Sequence, residues 1–128
     1  MKRFLKAEYL FLFLLIGTYF TVFSALSILR HLSLNSTYLD LGLESQAIWN
    51  TSQGRLFETS FGGKGELISA LSYHMTPIIL VLAPIYKLFP SPITLLFVQT
   101  LILALGAVPV FLICRHILKR RTVALAFA

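Results

Sequence analysis

Asp40 and Glu44 stand four residues apart in a polar stretch, Tyr38-Leu-Asp40-Leu-Gly42-Leu-Glu44-Ser-Gln46-Ala-Ile-Trp49-Asn50, that begins a few residues beyond a long apolar segment. On a helix that spacing puts both carboxylates on one face, within reach of each other. Two such groups can share a divalent cation through hard oxygen ligands, or drive their pKa values apart so that one serves as a base. The competing reading is a solvated helix face, with Asp40 favoured near the amino end by the helix dipole. His74 opens His74-Met-Thr-Pro77, where the chain returns to apolar sequence. An imidazole there can ligate a metal or donate to a phosphate, or it can be structural. A metal site would draw on Asp40, Glu44 and His74, with a divalent ion as the implied cofactor. Trp49 offers an indole face to a sugar, or anchors the chain at an interface as Tyr38 and Tyr73 would.

The elements that must position these residues belong to a membrane. Of 128 residues 57% are hydrophobic and 12% charged, against about 25% charged in soluble domains. Each helical crossing uses about 20 residues, so this length allows two or three crossings and one sizeable loop. The net charge of +6 does not point to nucleic acid, because the basic residues flank apolar segments. Lys2, Arg3 and Lys6 precede the first, and Arg115, Lys119, Arg120 and Arg121 follow a later one. Between them Arg30, Arg55, Lys64 and Lys87 balance Asp40, Glu44, Glu58 and Glu66. The positive-inside rule then makes both ends cytoplasmic and the 30–92 region external, in a multi-pass protein of the cell membrane. Cys114 is the single cysteine, which excludes an intramolecular disulfide and leaves a small packing residue.

The expected fold is therefore an all-α integral membrane module spanning 1–128. Residues 9–29, 21 positions without a charge, form a first transmembrane helix. The apolar core exceeds the roughly 7–15 residues of a signal peptide, so it reads as an uncleaved anchor. An external loop over 30–76 holds a surface helix at about 37–53, on which Leu39, Leu43, Ala47 and Ile48 recur at helical spacing and after which Gly54 ends the run. Phe61-Gly-Gly-Lys-Gly65 lacks the spacing of a phosphate-binding loop and reads as a connector. Residues 77–89, with Pro84 and Lys87, are short for a crossing and suit a re-entrant or interfacial helix. Residues 93–114 make the second crossing; the alternative is that 77–89 and 93–114 both span as a hairpin. Asn50-Thr-Ser52 matches a glycosylation sequon, as does Asn35-Ser-Thr37. Residues 122–128 begin a further apolar run, as a truncated or split reading frame would, with the remainder of a split protein as partner.

Taken together, Tyr38-Leu-Asp40-Leu-Gly42, Gln46, Ile48-Trp49-Asn50, Gly54-Arg-Leu-Phe57, His74-x-x-Pro77, Leu82-Ala-Pro84-Ile-Tyr86 and Gln99 resemble the amino-terminal region of a family of multi-pass membrane proteins grouped as a domain of unknown function. That family looks related to the C-type (GT-C) glycosyltransferases, such as protein mannosyltransferases and aminoarabinose transferases. The resemblance runs from about residue 9 onward. It implies a GT-C-like amino-terminal module whose first external loop carries an acidic catalytic residue, here Asp40, toward a sugar on a polyprenyl phosphate. It matches His74 and Pro77 to the family's His-x-x-Pro, and Gln46 to the glutamine after its Asp-Leu-Gly motif. Members often carry a second acid directly before that glutamine; here Ser45 stands there, with Glu44 one position earlier. Transfer from a lipid phosphate needs a base for the attacking group and cations or donors for the departing phosphate. Asp40 can supply the first, and Arg55, Lys64 or His74 the second, with Trp49 and Gln46 lining the substrate. The function implied is external sugar transfer from a polyprenyl-phosphate donor, with the isolated chain inactive. The alternative is a non-catalytic membrane subunit or transporter fragment whose loop docks a partner.

Overall fold

The computed structural model describes residues 2–36, 38–61 and 66–118. Lys64, Lys119, Arg120, Arg121 and the apolar run at 122–128 lie outside the described residues. The chain divides into two compact units, Met1–Ser27 with Phe97–Ala128 and Ile28–Leu96.

The first unit is built from α1 (Lys2–Leu32), α4 (Pro92–Leu105) and α5 (Ala107–Leu118), of which α1 and α4 run on into the second unit. Ala7–Leu32 and Pro92–Ile117 are each long and apolar enough to cross a membrane. Within their most apolar stretches only 11% and 17% of positions are buried, so side chains such as Phe11, Phe13, Leu103 and Ile113 point outward. An apolar surface of this extent is incompatible with water and natural in hydrocarbon, where a helix satisfies its own backbone. What the helices do bury is a narrow seam of Leu12, Ile16, Ala104 and Phe111, flanked by Phe20, Ala107, Val108 and Cys114. The seam makes α1 antiparallel to α4 and α5. Tyr9 meets Phe111 edge-on at 5.9 Å, while further along Phe20 lies 5.9 Å from Phe97. Cys114 is a packing residue of that seam, with a free thiol.

Between α4 and α5 the helix is interrupted at Gly106. Pro109 is the physical reason. It has no N–H for the Leu105 carbonyl, and its ring crowds that same oxygen. The Gly106 amide accommodates the break by reaching both Ile102 O (3.0 Å) and Leu103 O (3.1 Å). A Cβ added there would stand 3.0 Å from the Leu103 carbonyl oxygen, so glycine suits the position.

The second unit follows from the exit of α1. Tyr38–Gly42 forms a π-helical turn that runs directly into α2 (Leu43–Ser52). The chain then makes a two-residue antiparallel ladder between β1 (Glu58–Thr59) and β2 (Ile68–Ser69), with Glu58 opposite Ser69 and Thr59 opposite Ile68. A 3₁₀ turn at Ala70–Ser72 leads to α3 (Ile79–Leu88). The core is Ala47, Ile48, Ala70, Ile79, Tyr86 and Leu95, with Leu41, Phe57, Tyr73 and Leu82 packed around it. Leu43, Ala47 and Ile48 are buried within the unit, while Leu39, expected on the same face, is exposed. The ladder departs from an all-α expectation: two-residue strands carry no periodicity to read. At 10 residues α3 is about 15 Å long, half the hydrocarbon core. Pro84 removes one of its internal hydrogen bonds.

The end of α1 is closed by a paired backbone motif. The Asn35 amide reaches back to Arg30 O (3.1 Å) and the Leu34 amide to His31 O (3.0 Å), which requires Leu34 to turn left-handed at φ 57°. Glycine is the usual residue there, because a side chain costs about 1–2 kcal/mol in that conformation. Leu34 is 92% exposed and packs on little. Leu34→Gly is therefore expected to stabilise the protein by about 0.5–1 kcal/mol, read as a rise in the thermal midpoint in detergent; a fall would refute this account of the cap.

Candidate functional site

The polar residues of α2 divide into those turned into the fold and those left at its surface. Asn50, in the last turn of the helix, is 6% exposed. Its side-chain N–H donates to Glu58 O (2.9 Å), its side-chain oxygen accepts from Arg55 Nη2, and its backbone carbonyl accepts from the Gln53 and Arg55 amides. Gly54, at φ 88°, makes the left-handed turn that brings the Arg55 amide back to Asn50 O (2.9 Å). Its own amide reaches Thr51 O (3.0 Å). This is the same closure that ends α1, here with the glycine it favours. Arg55 Nε then lies 3.7 Å from Glu58 Oε2, at the exposed rim.

Further along the same segment, Phe57 takes a left-handed conformation at φ 59°. Bonds on both sides hold it there: its amide donates to Thr51 Oγ1 (2.9 Å) and its carbonyl accepts from the Ala70 amide (2.7 Å). Gln46 completes the knot, its Oε1 accepting from the Ser60 amide (3.1 Å), Ser60 Oγ (2.9 Å) and Thr59 Oγ1 (3.3 Å). The spacing Gln46, Asn50, Gly54-Arg-Leu-Phe57 is thus, in this unit, the recipe for fastening an irregular loop to a helix. Gln46 and Asn50 spend these polar atoms inside the fold. Arg55 is shared, with a side chain 55% exposed. A buried, doubly bonded Asn50 amide is also closed to glycosylation in the folded state.

Asp40 precedes these residues on the chain. It is exposed, in the middle of the π-helical turn, one turn ahead of Glu44. Glu44 is half-buried in the first turn of α2, where the helix dipole favours a carboxylate. Trp49 is 40% exposed and meets Tyr86 of α3 edge-on at 6.4 Å. His74 is exposed on the segment that follows the 3₁₀ turn, its amide held by Ala70 O (3.0 Å) and its ring edge-on to Tyr73 at 5.2 Å. Tyr73 in turn lies 4.6 Å from Phe61, which makes an aromatic row Phe61–Tyr73–His74. Among the described residues no three His, Cys, Asp or Glu side chains group to hold a metal ion, and Asp40, Glu44 and His74 form no such set.

Three further residues have structural roles that their types and spacing do not announce. Tyr86 is 5% exposed under Trp49; burial pushes its phenol above the ordinary value, and a hydrogen bond with Ser45 acts in the opposite direction. Ser45 is buried and also donates to Leu41 O. Thr59 is wholly buried in the ladder. The only sequence hint is that serine and threonine tolerate a helix interior best when they can bond backward, as Ser45 does.

A family model described as a predicted membrane protein, DUF2079, matches residues 30–128. No curated protein and no solved structure matches the chain.

The double restraint on Phe57 predicts an asymmetric response at Thr51. Thr51→Val keeps the shape but leaves the amide of a strained residue unbonded, and is expected to lower stability by about 1–3 kcal/mol in thermal or denaturant unfolding. Thr51→Ser keeps the hydroxyl and should recover most of that loss. Equal losses in the two variants would mean that the methyl group, not the hydrogen bond, holds the turn.

Proposed function

The chain belongs to this family of predicted membrane proteins, and on that footing we propose that it forms the amino-terminal module of a GT-C-like glycosyltransferase. In this reading it contributes one wall of an external site that accepts a sugar from a polyprenyl-phosphate donor, the amino terminus being cytoplasmic. The observation that carries the reading is the setting of Asp40: an exposed carboxylate on a π-helical turn, fused to a helix whose other polar side chains are largely turned into the fold. Single π-turns concentrate at functional positions because they re-aim a side chain at the expense of regular hydrogen bonding. A rigid support of this kind holds a base in a fixed place, which acid–base catalysis requires.

Asp40 would accept the proton of the attacking hydroxyl as the bond to the sugar forms. His74 and the exposed part of Arg55 would stabilise the departing phosphate, and Trp49 would stack on the sugar face. Gln46 fits a supporting role better than a binding one, since its side-chain oxygen is held by Thr59 and Ser60. A divalent ion, if one is used, would need ligands beyond Asp40, Glu44 and His74. The two candidate spans among the described residues are too few to enclose a lipid-linked donor, so the purified 128-residue chain is expected to show no transfer from labelled polyprenyl-phosphate sugars.

A second reading is favoured by the internal bonding of Gln46, Asn50 and Thr51: the 28–96 unit is a rigid, non-catalytic platform that docks a partner or another part of a larger protein. The two separate on one substitution. In an active multi-pass protein containing this module, Asp40→Asn should lower sugar transfer by about 10²–10⁴-fold while membrane insertion and donor binding persist. Transfer within a few-fold of the parent would remove Asp40 from the chemistry and leave the platform.

A further inference from the structure

The π-helical turn that carries Asp40 is pinned at the residue after it. Leu41 packs its side chain against the core of the 28–96 unit, and its carbonyl accepts from Ser45 Oγ. Ser45 is 8% exposed, among the buried residues of α2. A serine hydroxyl has one proton to give and two lone pairs to receive. That proton is spent on Leu41 O, so in the hydrogen bond between Ser45 and Tyr86 the phenol is the donor. Tyr86 belongs to the core. Burial raises its pKa above the ordinary value while the Ser45 bond acts the other way, and the phenol keeps its proton throughout the neutral range. The bonds therefore run in one direction, from Tyr86 O–H to Ser45 Oγ and from Ser45 O–H to the Leu41 carbonyl, one residue beyond Asp40. Hydrogen bonds in series polarise and reinforce one another. The Tyr86 ring has a second contact, edge-on to Trp49, which lies one turn along α2 from Ser45.

From this arrangement we infer that Tyr86 is a positioning residue for the proposed transfer: its hydroxyl, through Ser45, fixes the turn that aims Asp40, and its ring fixes the indole of Trp49. The inference rests on the glycosyltransferase reading and deepens it, because it ties the base and the sugar platform to one side chain on another helix. Tyr86 is buried and acts only through these two neighbours. Base and stacking ring are thereby held at one spacing, as a near-attack geometry requires.

The test separates the hydroxyl from the ring. In an active multi-pass protein containing this module, Tyr86→Phe removes the hydroxyl and keeps the ring. Its kcat is expected to fall about 10–100-fold with KM within about twofold of the parent, since a misplaced base costs turnover and not binding. Ser45→Ala should give the same loss, and Ser45→Ala/Tyr86→Phe no more than either alone, because both break one chain of bonds. Ser45→Thr keeps the hydroxyl and should recover most of kcat. Tyr86→Leu removes the ring as well and should also raise KM for the donor, through Trp49. In the Asp40→Asn background Tyr86→Phe should cost nothing further. An equal loss with and without Asp40→Asn overturns the inference and leaves Asp40 as the base. Parental transfer by Asp40→Asn overturns the glycosyltransferase reading itself, and the positioning of a base with it. One readout needs no turnover: in the 128-residue chain in detergent, Tyr86→Phe should speed amide hydrogen exchange over residues 39–43 by about tenfold or more and leave the Phe57 and Ala70 amides unchanged. Unchanged exchange over 39–43 overturns the inference whatever Asp40 does. A uniform rise across the unit overturns it too, because Tyr86 would then serve only to hold the core.

Discussion

The 28–96 unit depends on Asn50, through its side chain and its backbone carbonyl together. Strands of two residues and a ladder of two pairs cannot hold themselves, since isolated hairpins are marginal even when longer. The stability must come from the helix beside them, and Asn50 supplies it by bonding in three directions at once. It closes the end of α2, grips Arg55 and holds the Glu58 carbonyl. Thr51 and Gln46 extend the same logic to Phe57 and Ser60. Each bond satisfies a loop group that regular secondary structure leaves open, and an unsatisfied buried polar group costs more than a made bond gains. With the loop fixed, Ala70 and Ile79 can close over Ala47 and Ile48 to form the core.

The first unit obeys a different constraint. Its helices need no loop to complete their backbone bonding, and hydrocarbon outside is as apolar as leucine inside. Association must come from fit and from a few polar contacts. The seam accordingly joins small and large residues, Ala104 and Ala107 beside Phe111 and Leu12. One polar contact lies at the rim, where Arg115 meets Tyr9.

Much of this was legible in the residues. The uncharged run from Tyr9 to Leu29 and the apolar run after Pro92 are long enough to register at a helical period, and Gly54 marked the end of α2 by its conformational freedom. The short ladder was not legible, because Glu58–Thr59 and Ile68–Ser69 are too brief to alternate. Nor was the division of labour in the polar stretch. Gln46, Asn50 and Asp40 are all plausible substrate ligands by type, and only the fold separates the two that bond inward from the carboxylate that faces out. The left-handed turns at Leu34 and Phe57 were equally hidden, since neither residue favours them and tertiary hydrogen bonds impose them.

The break at Gly106 bears on membrane thickness. Twenty-six helical residues span about 39 Å against a hydrocarbon core of about 30 Å, so each candidate span carries surplus length that tilt or bending must absorb. Pro92–Ile117 has a joint near its middle, and its two halves can take different inclinations as the bilayer thins or thickens. α1 is continuous from Lys2 to Leu32 and must lean as one rod. Bilayer strain is thus directed to a single peptide on one side of the helix pair, which makes the mismatch response of the two spans unequal by construction.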